Sequence, residues 1–457
     1  MATMSSAAVE MISKEIIKPT TPTPYQLRNF NISLFDQYMP PNYTTVILFY
    51  PASIAADSTG SELHDDLGLL KRSLSETLVH FYPMAGRLKD NMVVECNDQG
   101  VDFYEVKIKA KMCHFMVKPD EFPLNLLLPY EVVSKNFVKE AQVIVQVNMF
   151  DCGGTAISLC VSHKIADACT MSTFIRNWAG NTYSARCGGA PTTNQNSFPS
   201  FDSASLFPPS EQLVFPSEVP PTLVSHPTDD SRREKSVSKR FVFDAVKINS
   251  VREKLPVLMH DNYKSSSRPT RVDVVTALVW KAAMKSAPSD DVLPTVNHVV
   301  SFRKKIDPPL PDVSFGNLCA VVATAVSPGA TVTSRNDGVE VQEVLEDQLA
   351  ELVAQLRGEK YKVKGDKGCI EKIFLSFVGG DNALWMASWS KFGFYDADFG
   401  WGRPVWVTTD LSIVEPNQNL ICMMDTKCGE GIEVSAKFLE NDMAKFELHL
   451  SKILELF

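Results

Sequence analysis

The feature that most constrains the fold is a segment in which apolar and polar residues alternate in two runs, QVIVQVNMFDCGGTAISLCVSH, residues 142–163. Such alternation is typical of half-buried β-strands, and the Asp-Cys-Gly-Gly sequence at 151–154 between the runs favours a tight turn. The segment therefore predicts a β-hairpin. Beyond it, apolar residues recur at helical spacing and predict a helix beginning near Asp167; they are Met171, Phe174, Ile175 and Trp178.

Strands and helices are predicted in both halves of the chain. In the first half, leucines at three- and four-residue steps predict an amphipathic helix over residues 61–81, ending before Pro83 and Gly86. In the second half, strands are predicted at KRFVFD and VNHVVSF, and helices at TRVDVVTALVWKAAMKSA, at residues 339–357 and at the C-terminal end. This mixture indicates an α/β protein.

The length and one irregular segment predict the division into domains. A chain of 457 residues exceeds one ordinary hydrophobic core, so two or three domains are expected. Residues 190–232 repeat Pro and Ser without sustained periodicity, which is typical of a linker. We predict an N-terminal lobe at residues 1–190, a crossover linker at 191–232 and a C-terminal lobe of similar size at 233–457.

Composition argues against several kinds of partner. The net charge of −9 disfavours nucleic acid or an anionic membrane, since either needs a basic surface. The sequence has no apolar run long enough to span a membrane and no secretory signal at its start. Its ten cysteines are scattered, which disfavours a zinc site or a disulfide scaffold. A cytoplasmic protein with reduced thiols is expected.

His163 is the first candidate for chemistry, because it lies between the predicted strand and the predicted helix, in SHKIADACT. A histidine there can project from a rigid element and accept a proton from a hydroxyl, although a hydrogen-bonded core histidine is the alternative. Asp167 lies at the expected N-cap of the helix, where its carboxylate would bind free N–H groups, so we predict a structural role for it.

Three cysteines lie close to His163 in sequence, namely Cys152, Cys160 and Cys169. A nucleophilic Cys/His pair with a covalent acyl intermediate is therefore a further alternative. Small buried thiols explain the same residues without catalysis, and nothing in the sequence singles out one of the three.

A second informative segment is DFGWG at residues 398–402, followed by Arg403 and Pro404. Its two glycines permit unusual backbone angles, and two aromatic residues stand beside Asp398, so we predict a rigid loop. DFG alone could suggest a protein kinase, but no GxGxxG loop and no HRD motif precede it.

The combination of SHKIAD in mid-chain and DFGWG near the C-terminal end resembles the plant BAHD acyl-CoA-dependent acyltransferases. The segments PTPYQLRNFNISLFDQ, HFYPMAGRL, FDCGGTAI and FGN are similar to that family as well, so the resemblance spans the whole chain. Within the family, the sequence is similar to the branch that acetylates alkaloid alcohols. The resemblance implies a chloramphenicol acetyltransferase-like fold, with two α/β lobes and the active site in a channel between them.

The resemblance also implies roles for individual residues. His163 would be the general base. Asp167 would orient the histidine loop and pair with an arginine, for which Arg303 is the matching position, and Asp398 would hold the DFGWG loop, also through an arginine. At residues 301–303 the sequence has Ser-Phe-Arg where family members often have Asn-Leu-Arg, but the arginine is kept.

An acyl-CoA co-substrate would need protein groups that bind its phosphates and groups that stabilise the oxyanion of the reaction intermediate. Phosphates are commonly bound by cations at helix starts, and Arg268 and Arg271 in SSSRPTRVD fit that pattern. Solvated arginines on a capped surface helix are the alternative. Trp385 or Ser388 in NALWMASWS could donate to the oxyanion of the reaction intermediate.

The resemblance implies direct transfer of an acyl group, with acetyl favoured, from acyl-CoA to a hydroxyl of an alkaloid or related plant metabolite. It implies a monomer with no permanently bound cofactor or metal. The alternatives are a longer or branched acyl group on a sugar or phenolic alcohol, hydrolysis of the thioester by water, and an inactive small-molecule binding protein of the same fold. Ser162 and Ala168 disfavour a peptide synthetase condensation domain, which usually has His and Gly there.

Overall fold

The computed structural model describes residues 8–52, 60–117, 122–133, 141–189, 198–211, 235–255, 268–286, 295–325, 342–375, 383–414 and 418–457. The chain divides into two compact units. Unit 1 is drawn from Met1–Val219, Leu310–Leu318 and Phe392–Ile413, and unit 2 from Pro220–Pro309, Cys319–Lys391 and Val414–Phe457.

The described residues form strands and helices throughout the chain. The strands are β1 (Val9–Ile17), β2 (Asn29–Asn31), β3 (Tyr43–Tyr50), β4 (Arg87–Lys89), β5 (Val93–Glu95), β6 (Val101–Ile108), β7 (Val143–Phe150), β8 (Thr155–Ser162), β9 (Ser236–Phe243), β10 (Val296–Ser301), β11 (Cys319–Thr324), β12 (Leu384–Ser388), β13 (Trp406–Thr408), β14 (Asn419–Asp425) and β15 (Ile432–Leu439). The helices are α1 (Leu34–Tyr38), α2 (Gly60–His80), α3 (Met112–Val117), α4 (Tyr130–Val133), α5 (Ala168–Cys187), α6 (Ser203–Leu206), α7 (Ala245–Lys254), α8 (Arg271–Met284), α9 (Gln342–Lys362), α10 (Lys367–Leu375) and α11 (Glu440–Glu455).

Unit 1 is built around a six-stranded sheet in the order β1-β6-β7-β8-β3-β13. Only β6 and β7 pair in parallel; the other neighbours are antiparallel. The predicted hairpin is confirmed as β7 and β8. Helices α2 and α5 pack on each other, and the indole Nε1 of Trp178 on α5 donates to Leu70 O of α2 at 3.0 Å. The two helices extend the core of unit 1 beyond its sheet.

Unit 2 is built around a second six-stranded sheet, in the order β11-β10-β12-β14-β15-β9. Strands β10, β12 and β14 are parallel neighbours, and the remaining pairs are antiparallel. Helix α8 packs against α7, α9 and α11, and its Trp280 is fully buried in the core with Leu349 of α9 and Phe446 of α11. Each unit thus has its own sheet and its own helices, which confirms the α/β class with two lobes.

The boundaries of the units differ from the predicted division at residues 190–232. Residues 310–318 and 392–413, predicted in the C-terminal lobe, belong to unit 1, and so does the DFGWG segment. The physical reason is pairing in the sheet: β13 lies antiparallel to β3, with Trp406 opposite Phe49. Most of the predicted linker lies outside the described residues. Its described part, residues 198–211, contains α6 and a bridge between Ser200 and Ser314.

None of the helices formed by the described residues is both long enough and apolar enough to cross a membrane.

Candidate active site

His163 follows β8 directly, and its backbone is held on both sides. Its N–H donates to Asn42 O at 2.8 Å, beside the start of β3, and its carbonyl accepts a hydrogen bond from Asn317 Nδ2 at 2.7 Å. The side chain is partly exposed, but Nδ1 is buried and has no hydrogen-bond partner within the described part of the chain. The exposed part of the ring therefore excludes Nδ1.

The electrostatic surroundings keep the imidazole neutral. Burial lowers the pKa of His163 below its ordinary value of 6.5, because the charged ring would lose its hydration. The carboxylate of Asp167, the backbone of His163 itself and of Ala166, and the side chain of Asn317 act in the opposite direction, but burial is the larger effect. A neutral imidazole can accept a proton near neutral pH, which is the requirement for a general base.

Asp167 is the N-cap of α5, as predicted. Its Oδ1 accepts the N–H of Thr170 at 2.9 Å, and its Oδ2 accepts the N–H of Leu318 at 3.2 Å. The first bond begins the helix, and the second fastens the turn after His163 to a segment far away in sequence. The carboxylate therefore has a clear structural function, while its pairing with Arg303 stays a prediction.

A second buried carboxylate close to the base, Asp36, was missed from the sequence. It lies at the start of α1, in a capping box with Ser33, and is 1% exposed. Its Oδ1 accepts both the backbone N–H and the Nδ2 of Asn317, each at 2.7 Å. Burial raises the pKa of Asp36 and its hydrogen bonds oppose that effect. The Ser-x-x-Asp pattern could have predicted the cap, but not the bond to the distant FGN segment.

Lys164 is also buried beside the base. Its Nζ donates to Gln37 O at 2.7 Å. Burial lowers the pKa of Lys164 to about 8, and the nearby Asp36 carboxylate opposes the decrease. The residue after the base thus ties the turn to α1.

The DFGWG segment forms a loop that is held by other contacts than those expected. Asp398 Oδ1 accepts the N–H groups of Gly400 and Gly402 at 2.8 and 3.0 Å, whereas an arginine partner was expected. Among the residues that the structure describes, Asp398 makes no ion pair with an arginine. The carboxylate instead closes a local turn, in which both glycines have positive φ angles of 101° and 103°.

The aromatic residues of the loop anchor it in unit 1. Phe399 is fully buried and lies edge-on to Trp178 of α5 and to Tyr50 of β3, with ring centroids 4.9 and 5.8 Å apart. Trp401 stacks on Phe399, and the guanidinium of Arg186 lies 5.5 Å from the Trp401 ring. The loop is therefore a packing element of unit 1.

The three cysteines close to His163 do not have the features of a nucleophile. Burial strongly raises the pKa of the Cys160 thiol, so the thiolate is disfavoured. Cys169 is buried with its thiol directed to Asp312 O, and Cys152 is exposed with its sulfur accepting the N–H of Met112. These positions favour a structural role for the three cysteines.

The remaining predicted residues lie in unit 2. Arg303 is 1% exposed and its Nη1 lies 3.5 Å from Ser301 Oγ. Arg271 begins α8 and donates to Asp425 Oδ1 at 3.4 Å and to Gly431 O at 3.3 Å.

Arg268 is exposed, and Trp385 and Ser388 lie in β12, half-buried. Three or more potential metal ligands do not cluster anywhere in the described ranges.

Known proteins share both the sequence and the fold. Residues 7–453 match the transferase family. The sequence is 62% identical to (13S,14R)-1,13-dihydroxy-N-methylcanadine 13-O-acetyltransferase and 60% identical to salutaridinol 7-O-acetyltransferase, both from Papaver somniferum. Each comparison covers 100% of this chain and 100% of the relative. The crystal structure of vinorine synthase is similar with a TM-score of 0.75 and 29% identity, covering 97% of this chain and 98% of that chain.

Proposed function

The chain belongs to the transferase family of plant BAHD acyltransferases, and from this premise we propose that it transfers an acetyl group from acetyl-CoA to a hydroxyl of an alkaloid. The support for the acceptor is the identity of 62% and 60% to two enzymes that are named as O-acetyltransferases of such hydroxyls. These matches cover the whole chain, so they include every segment that could contribute to an acceptor pocket.

The observation that carries the mechanism is the state of His163: burial lowers its pKa, so that the ring is neutral near pH 7, and its Nδ1 is buried while the side chain as a whole is partly exposed. We propose that Nε2 removes the proton of the acceptor hydroxyl as its oxygen attacks the thioester carbonyl. The C–S bond then breaks, the ester forms, and the proton on His163 passes to the CoA thiolate. A positioned general base contributes about 10²- to 10⁴-fold in rate.

Binding of CoA and stabilisation of the oxyanion are proposed for residues of unit 2. Arg268 is exposed just before α8, so its guanidinium is available for a phosphate. The guanidinium of Arg271 already donates to Asp425 and would have to bind the phosphate in addition to that carboxylate. Trp385 and Ser388 remain the proposed donors to the oxyanion.

We also propose a cytoplasmic monomer without nucleic-acid or membrane partners, in keeping with the net charge of −9.

The test is release of CoA from acetyl-CoA by the purified protein, with and without alkaloid alcohols including salutaridinol. The proposal expects release that depends on an acceptor, falls at least about 10²-fold in His163→Ala, and is retained in His80→Ala. His80 suits the control because it is an exposed histidine of the same unit, at the end of α2. Both variants should melt like the wild type.

Other outcomes identify the alternatives. Release of CoA without any acceptor would indicate a thioester hydrolase. Release that appears only with a longer or branched acyl-CoA and a sugar or phenolic alcohol would correct both substrates. More than a tenth of wild-type turnover in His163→Ala would remove His163 from the role of base. Binding of the alkaloid without turnover of any acyl-CoA would leave a binding protein of the same fold.

A further inference from the structure

Asp425 ends β14, and its carboxylate receives three hydrogen bonds from two other segments of unit 2. Its Oδ1 accepts the Oγ–H of Ser390 at 2.7 Å, and its Oδ2 accepts the N–H of Lys391 at 2.6 Å. Nη2 of Arg271, the first residue of α8, donates to the same Oδ1 at 3.4 Å. The carboxylate therefore connects the start of α8 to the segment that follows β12.

The position of this carboxylate is set by the segment after β12. Distances of 2.6 and 2.7 Å to a carboxylate oxygen are typical of strong hydrogen bonds, whereas 3.4 Å is typical of a weak one. Lys391 has a φ of +67°, a left-handed conformation that is uncommon for a residue with a side chain, and its N–H is fixed by Asp425. Ser390 and Lys391 would thus keep the carboxylate in place if Arg271 moved.

Arg271 is the loosely held partner. Its second hydrogen bond, from Nη1 to Gly431 O, is 3.3 Å long, and its other N–H groups have no partner among the described residues. Its side chain is 19% exposed. A guanidinium carries five N–H groups in one plane and can bind two oxygens of a phosphate at once. Arg271 can therefore bind a phosphate from solution with little loss of protein contacts.

The charge of Asp425 opposes such a phosphate. The carboxylate and the phosphate are both anions, and both would lie against the same guanidinium, while Ser390 and Lys391 hold the carboxylate where it is. Like charges at this short separation weaken binding several-fold at the effective dielectric constant of a protein surface. An arginine without a fixed carboxylate beside it would bind the phosphate more tightly.

We propose that Asp425 is a positioning residue of the acyl-CoA site that acts through Arg271: it draws the guanidinium toward β14 and lowers the affinity of unit 2 for the phosphates of CoA. The product CoA carries the same phosphates as acetyl-CoA, so the weaker hold favours its departure after the transfer. This inference rests on the proposed function, in which Arg271 is one of two candidate contacts for a CoA phosphate.

The test is calorimetric titration of the full-length protein with CoA, for the wild type and two variants of Asp425. In Asp425→Asn the amide oxygen can still accept the N–H of Lys391, and the NH₂ group can donate to Ser390 Oγ. The charge and the acceptor for Arg271 are lost. We expect this variant to bind CoA roughly three- to tenfold more tightly, with an unchanged melting temperature.

Asp425→Ala separates the two functions of the carboxylate. It also frees Arg271, but it leaves the N–H of Lys391 without its acceptor. We expect the same gain in affinity for CoA together with a lower melting temperature. A change of stability without a change of affinity in both variants would make Asp425 merely structural.

Three controls show whether the effect passes through Arg271 and through phosphate. Arg271→Ala combined with Asp425→Asn should lose the gain in affinity. Glu447→Gln removes another carboxylate of unit 2, which pairs with Lys239 at 2.6 Å, and should leave the affinity for CoA unchanged. Acetyl-pantetheine has no phosphate, so its KM as acyl donor should be the same for the wild type and Asp425→Asn.

The outcomes distinguish this inference from the proposed function. Equal affinity of the wild type and Asp425→Asn for CoA, or a gain that persists in the absence of Arg271, would overturn the inference alone. A loss of affinity in Asp425→Asn would overturn it as well, because the carboxylate would then support the site. CoA binding to neither the wild type nor any variant would overturn the proposed function together with the inference.

Discussion

Burial shifts the pKa of three side chains at and around the candidate base. It lowers the pKa of His163 and of Lys164 and raises that of Asp36. All three shifts favour the neutral form, because a charged group loses hydration when it is buried. His163 is therefore uncharged near neutral pH, whereas Lys164, with a pKa of about 8, is still mostly protonated there.

The pH dependence of turnover follows from the lowered pKa of His163. The base is active when deprotonated, so kcat/KM should rise with pH along a single acid limb and then level off. Because burial outweighs the charge of Asp167, the midpoint of that limb should lie below 6.5. A pH–rate profile of the wild type measures it, and the limb should be absent from the residual rate of His163→Ala. A midpoint clearly above 6.5 would contradict the neutral buried base.

The start of helix α5 is held by one hydrogen bond within the helix and by one to a residue far away in sequence. The two oxygens of Asp167 bind the N–H of Thr170 inside the helix and the N–H of Leu318 outside it. The capping bond can be predicted from the sequence because it spans three residues. The bond to Leu318 spans 151 residues and depends on the fold.

Replacement of this cap should cost stability as well as activity. Asp167→Ala removes the helix cap, worth about 0.5–2 kcal/mol, and leaves the N–H of Leu318 without its acceptor. Asp167→Asn keeps an oxygen for the cap and should lose less. Thermal melts and turnover of both variants measure the two effects. Unchanged melting with lost turnover in Asp167→Ala would contradict a structural role.

The glycines of the DFGWG loop allow two contributions to be separated. Both Gly400 and Gly402 have φ angles that favour glycine, but they differ in their surroundings. A Cβ on Gly400 would lie 2.8 Å from Cδ of Arg186, whereas a Cβ on Gly402 would meet no atom within 4 Å. Backbone strain is common to both positions, and steric contact is confined to Gly400.

Gly402→Ala should therefore measure backbone strain alone, about 1–3 kcal/mol, and Gly400→Ala should lose more. The extra loss reports the contact with Arg186, which also lies on the Trp401 ring and forms an ion pair with Asp66. Chemical denaturation of the two variants gives the comparison. Equal losses would show that Arg186 moves aside at no cost and does not hold the loop.

Each of the two units of the molecule is assembled from several separate stretches of the chain. Unit 1 takes its sixth strand, β13, from the late part of the sequence, and Trp406 of that strand stacks on Phe49 of β3 at 4.7 Å. Residues 47–49 of the hydrophobic strand β3 are thereby paired at that edge. Each unit nevertheless has a separate core.

The two cores should respond separately to large-to-small substitutions. Trp406→Ala should destabilise unit 1 by about 3–5 kcal/mol and raise amide hydrogen exchange chiefly in β3 and β8. Phe446→Ala, in the core of unit 2, should raise exchange chiefly in β15 and α11. Hydrogen exchange measured by mass spectrometry distinguishes the patterns. An equal rise in both units for either variant would indicate one cooperative core.

The elements that the sequence predicted are those determined by neighbouring residues. The β7–β8 hairpin follows from alternation around a glycine turn, the α2 and α11 helices from apolar periodicity, and the Asp167 cap from its position before a helix. In each case the backbone period or the first helical turn imposes the pattern, so a short window contains the information. His163 could be identified as a candidate for the same reason, since it directly follows a strand.

Only the tertiary structure decided which distant segments meet. Asp36, His163 and Asn317 are separated by more than a hundred residues from one another, yet they form one hydrogen-bonded cluster. Asp398 could be located in a rigid loop, but its partners are backbone amides where an arginine was expected. The pairing of β13 with β3 in unit 1 could not be predicted from the sequence either. Sheet order and long-range hydrogen bonds depend on how whole elements pack, and no periodicity within one segment records which other segment will lie beside it.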